Sequence, residues 1–132
     1  MFATVSSPHT YQKRNTSQVM RQVCYALLPA LLTLTWAFGL GSLLNVLWCV
    51  LLAITFEALC LKLRHKPVLF FLKDGSAIVT GMLLGLAITP YAPWWLSVIG
   101  VLFAIVIAKH LYGGLGQNPF NPAMIAYALL LI

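Results

Sequence analysis

VCYALLPALLTLTWAFGLGSLLNVLWCVLLAITFEALCL, residues 23–61, decides the fold. Two apolar runs, 23–38 and 42–61, flank a Gly39-Leu40-Gly41 hinge, and the only charged side chain in the whole stretch is Glu57. About 20 apolar residues are needed to cross a hydrocarbon core of roughly 30 Å, so this stretch reads as two membrane-spanning helices joined by a tight hairpin. Pro29 lies inside the first run. It would break a water-soluble helix, but within a membrane helix it is tolerated as a kink.

The rest of the chain repeats the pattern. Upstream lies a polar tail, residues 1–21, containing Ser6, Ser7, Pro8, His9, Lys13, Arg14 and Arg21. Downstream come a basic loop (Lys62, Arg64, His65, Lys66, Lys73) and an Asp74-Gly75 turn signal. A short third run, 77–88, carries Gly81 and Gly85, and Thr89-Pro90-Tyr91-Ala92-Pro93 forms a turn. Trp94 and Trp95 open a fourth run that ends near Lys109, and a glycine-rich loop, 113–121, leads into a fifth run from Pro122. The expectation is an all-α, polytopic transmembrane bundle of about five spans, organised as a tail (1–21) and a bundle (22–132). The last run is still apolar at Ile132, which suggests an N-terminal piece of a longer protein, cut within its fifth span.

Composition excludes a soluble fold. Of the 132 residues 61% are hydrophobic and 8% charged, against about 25% charged in a soluble domain. The net charge of +6 would suggest nucleic-acid binding on a soluble domain, but here the cations sit between apolar runs, where they set orientation in a bilayer. No nucleic-acid partner is expected. Every Lys and Arg falls in the tail, in the loop after the second run or at Lys109, and none follows the first or third run. This alternation makes the basic side, including the N-terminus, cytoplasmic; Tyr91, Trp94 and Trp95 then mark the opposite interface. Cys24, Cys49 and Cys60 have no metal-ligand spacing and read as small buried hydrophobes.

Three features bear on chemistry. Glu57 is the only acid inside a run; it is either an ion- or proton-handling group or a partly hydrated carboxylate near Lys62. Lys109 reads as a side chain that snorkels to the interface. Gly81 and Gly85 form a Gly-x-x-x-Gly step suited to close helix packing. The most informative stretch is GGLGQNPFNPA, residues 113–123. Asn before Pro is a good helix start, which accounts for Asn121-Pro122 but not for the same dipeptide at Asn118-Pro119. Two carboxamides offer donors and acceptors without charge and suit the edge of a neutral heterocycle such as a flavin. Capping and ligand binding both remain open on the residues alone.

AKHLY, residues 108–112, running into 113–123, resembles the D subunits of Rnf electron-transport complexes and, more distantly, the B subunits of the sodium-translocating NADH:quinone reductase. SSPHT at 6–10 and FFLKDGSA at 70–77, leading to Thr80-Gly81, agree with the Rnf subunits, so the resemblance covers essentially the whole chain. It implies the first half of an inverted-repeat-like, ten-helix subunit in a bacterial cytoplasmic membrane. The subunit would work with the other subunits of an ion-translocating ferredoxin:NAD oxidoreductase. It also implies a non-covalent riboflavin contacted by Asn118 and Asn121, and a covalent FMN on a threonine of a Ser-Gly-Ala-Thr-type motif that does not occur before Ile132. No catalytic residue or metal site is expected in this chain. Two other readings stand beside it: a channel built on Asn121-Pro122-Ala123, and a scaffold subunit in which the loop only caps a helix.

Overall fold

The computed structural model describes residues 16–111 and 120–132. These form α1 (Thr16–Phe38), α2 (Leu40–Leu63), α3 (Val68–Leu72), α4 (Ser76–Ala87) and α5 (Trp94–Leu102). Helix α5 continues without a break as a π-helix, Phe103–Leu111, and α6 (Pro122–Leu130) follows. The described residues contain no strand.

Local chemistry sets the boundaries. Gly39, at φ 85°, turns α1 into α2 through a single residue, a conformation that side chains with a Cβ resist. Gly75, at φ 76°, does the same before α4. Pro29 sits inside α1 without ending it. Two hydroxyls nearby bond back to main-chain carbonyls, Thr33 Oγ1 to Pro29 O (2.8 Å) and Thr35 Oγ1 to Leu31 O (2.7 Å). Helix α1 also takes in residues 16–21, which the sequence alone assigns to the tail.

Among the described residues three helices are long and apolar enough to cross a membrane: Ser17–Phe38, Leu40–Leu63 and Trp94–Leu111. The 12 residues of α4 rise only about 18 Å, and α6 has nine residues. The third run therefore forms a helix shorter than a full crossing. For α4 the reason is its flanks: left-handed Gly75 fixes the start, and Ile88 turns extended (ψ 132°) two residues before Pro90.

Packing is arranged for a lipid solvent. The core is dominated by small side chains, including Cys49, Ala53, Ala77, Ala104, Ala123 and Ala126, together with Leu84, Ile88, Val101 and Ile105. Large apolar side chains such as Leu32, Trp36, Leu44 and Leu51 face outward, and no residue of α1 from 17 onward is buried. Without a hydrophobic drive between helices in lipid, close backbone approach of small residues holds them together. Helices α2 and α4 show this directly. A Cβ built on Gly81 would lie 2.7 Å from Val50 Cα, and one on Gly85 would lie 2.8 Å from Val46 Cα. Asn45 adds a polar link, its Nδ2 donating to Gly85 O (2.9 Å) and Ile88 O (3.1 Å) at the end of α4.

Candidate functional site

Three helix ends converge on Glu57. It lies six residues before the end of α2 and is 3% exposed. Lys109 Nζ donates to its Oε1 at 2.8 Å, and His110 Nε2 lies 3.1 Å from its Oε2. Lys109 also donates to Ser76 Oγ at 2.6 Å, at the first residue of α4. Ser76 in turn donates through both its backbone N and its Oγ to Asp74 Oδ1, each at 2.9 Å. On the other flank Arg64 Nη1 is 3.5 Å from His110 Nδ1. The result is a connected polar cluster, Arg64–His110–Glu57–Lys109–Ser76–Asp74, buried at its centre and reaching the surface at both ends. Among the described residues no buried side-chain polar atom lacks a hydrogen-bond partner.

The cluster corrects one expectation. Lys109 does not snorkel; it is 4% exposed, because a carboxylate and a hydroxyl within reach replace the water it would otherwise seek. Glu57 pairs with Lys109 and His110 rather than standing hydrated beside Lys62. The π-helix contributes here. Its wider turn brings a residue back to the same face every four to five positions, and the buried positions 104, 105, 108, 109 and 110 follow that spacing. Neighbouring Lys109 and His110 can thus address the two oxygens of one carboxylate.

The second candidate region is the Asn-Pro loop. Asn118 lies outside the described residues. Asn121 is the N-cap of α6: its Oδ1 accepts from Ala123 N at 3.0 Å, with Pro122 at the first helical position. The capping reading is realised, and it uses only the oxygen. The carboxamide nitrogen of Asn121, on an exposed residue, takes no part in the cap. Phe120 beside it is 66% exposed and adds an aromatic surface.

Sequence reasoning singled out Glu57, Lys109 and Asn121 but missed Ser76, His110 and Arg64 as members of the cluster around Glu57 and Lys109, and Asn45 as the polar link from α2 to the end of α4. A signal for the first three was present. With alternating span directions, the end of the second run, the start of the third and the end of the fourth share one face of the membrane. No group of His, Cys, Asp and Glu suited to a metal occurs among the described residues. All three cysteines are free, Cys49 buried and Cys24 and Cys60 half-buried.

Comparison with known proteins adds the family. The family described as NQR2, RnfD, RnfE matches residues 3–132. A protein of Alcanivorax borkumensis is 61% identical over 129 residues, covering 98% of this chain and 38% of its own length. One of Aliivibrio salmonicida is 58% identical over 131 residues, covering 99% of this chain and 37% of its own length. One of Escherichia fergusonii is 52% identical over all 132 residues and 38% of its own length. All three are named as the D subunit of an ion-translocating oxidoreductase complex. The chain thus spans well under half the length of these relatives.

Proposed function

The chain belongs to the NQR2, RnfD, RnfE family, and on that premise we propose that it is part of the D-type membrane subunit of an Rnf-type ion-translocating oxidoreductase complex. The observation that carries this reading is the 52–61% identity, over nearly the whole chain, to proteins bearing that name. An all-helical bundle with three membrane-length helices supports it. The partners are then the other subunits of the complex and the lipid bilayer. The basic end, with Lys62, Arg64, Lys66 and Lys73, faces the cytoplasm by the positive-inside rule, in a bacterial inner membrane.

Within that subunit Asn118 and Asn121 hold a riboflavin, and electrons pass through it across the membrane. A bound flavin supplies the redox chemistry; the protein supplies position and surroundings. Asn121 suits the role because its oxygen is spent on the cap of α6, which fixes the carboxamide plane and leaves the nitrogen to donate. Covalent FMN belongs to the longer subunit in this reading, on a threonine outside this chain. The test is extraction of flavin from the complete complex carrying Asn118→Leu and Asn121→Leu together. Non-covalent riboflavin falls if the reading holds, and an unchanged riboflavin content would sink it. The same measurement separates it from the channel and scaffold readings, which need no flavin.

A further inference from the structure

The turn between α2 and α4 combines charge and apolar surface in a way the bundle itself does not use. From residue 58 to residue 73 there is no acid, while Lys62, Arg64, His65, Lys66 and Lys73 are all exposed. The one carboxylate beside them, Asp74, is turned inward onto Ser76 by two hydrogen bonds to its Oδ1. Within this ring of cations lies α3, five residues whose Leu69 and Phe70 are 77% and 72% exposed. Phe70 packs edge-on to Phe71, ring centroids 5.5 Å apart, and Lys66 Nζ stands 5.4 Å from the Phe71 ring. The aromatic pair is thereby ordered at the surface, with a cation beside it.

Position identifies the occupant. Helix α2 has 24 residues, about 36 Å of rise, which exceeds a hydrocarbon core of roughly 30 Å. Its length and the cations at Lys62 and Arg64 suit its end at Leu63 to the headgroup level. Exposed apolar side chains run along α2 through Leu51, Leu59 and Leu63, and Leu69 and Phe70 follow just past that end. Apolar side chains that reach into the acyl boundary, ringed by Lys and Arg at phosphate depth, are the arrangement of an interfacial anionic-lipid site. We propose that α3 lies in the membrane interface and, with Lys62, Lys66 and Lys73, binds the phosphodiester headgroups of anionic phospholipids. The charge complementarity is one-sided, and the site needs only that the chain spans a bilayer. It stands whether or not the flavin reading holds.

The experiment uses the complete complex in nanodiscs of phosphatidylcholine containing a minority of phosphatidylglycerol. The lipids that stay bound are identified by mass spectrometry. The wild type is expected to retain phosphatidylglycerol preferentially, and added salt should erode that preference. Lys62→Gln/Lys66→Gln/Lys73→Gln should reduce it, on the order of five-fold for each cation at the phosphates. Arg64 is left intact because it touches His110. Equal phosphatidylglycerol retention in wild type and variant would overturn the proposal. Should the triple variant not assemble, a photoreactive p-benzoylphenylalanine at Phe70 decides in native membranes. A phospholipid adduct is expected there; a crosslink to another protein, or no adduct at all, would overturn the assignment.

Discussion

Glu57 shows how one acid can be tolerated inside a bilayer-length helix. Its two oxygens are divided between Lys109 and His110, so its charge is matched and each oxygen has a partner. Removing one member of such a pair leaves an uncompensated buried charge, which costs about 3–5 kcal/mol. Glu57→Leu is therefore expected to lower the thermal midpoint of the detergent-purified subunit sharply, whereas Glu57→Leu/Lys109→Met should recover most of the loss. Equal destabilisation by the single and double variants would show that the charge balance is not what matters. Asn121 allows a second separation, because its oxygen caps α6 while its nitrogen does not. Asn121→Asp keeps the acceptor and removes the donor, so stability should hold while riboflavin is lost from the complete complex. Asn121→Ala removes the cap too and should cost about 1 kcal/mol of stability in addition. The sequence showed which of these residues were unusual but not what they touch. Glu57 stood out as a lone acid; that its partners are Lys109 and His110 depends on which helices are neighbours, and one sequence carries no direct record of that.

Among the elements, the close-packing face of α4 was legible in advance, though not that α2 is the helix it meets. Gly81 and Gly85 are spaced for close approach, and both backbones come within a distance that no added methyl fits. Gly81→Ala would place a Cβ 2.7 Å from Val50 Cα; backbone on both sides cannot yield cheaply, so a loss of about 1–3 kcal/mol is expected. Gly41→Ala is the control, because its Cβ would meet only Pro90 Cβ at 3.5 Å, an ordinary contact. Thermal unfolding of the two variants side by side checks this, and comparable midpoints would contradict the close-packed geometry. Boundaries that follow from single residues were also readable: Gly39 between α1 and α2, Gly75 before α4, and Asn121-Pro122 before α6. The π-helix was not. Residues 103–111 read as the tail of an ordinary span, because Lys109 and His110 look like an end signal. Only once Glu57 lies opposite does the wider turn acquire a reason, in that both neighbours can then reach one carboxylate.

For the whole molecule, the consequential feature is that the charged cluster lies at one end. The start of α1, the end of α2, α3, the start of α4 and the end of the π-helix share that end, with Glu57, Ser76, Lys109 and His110 buried just inside it. At the other end are Gly39, Thr89-Pro90 and the exposed Tyr91, Trp94 and Trp95. The first set is rich in Lys and Arg and the second has none, the asymmetry on which the proposed cytoplasmic placement of the basic end rests. The assignment can be tested on the complete subunit in intact cells, with a single cysteine at Lys66 or at Ala92. Cys24, Cys49 and Cys60 are first replaced by serine or alanine to leave no background. A membrane-impermeant thiol reagent is expected to label Ala92→Cys from outside and to reach Lys66→Cys only after the membrane is opened. The reverse pattern would invert the subunit. It would also move the ion-paired cluster of Glu57, Lys109 and His110 to the far side of the membrane.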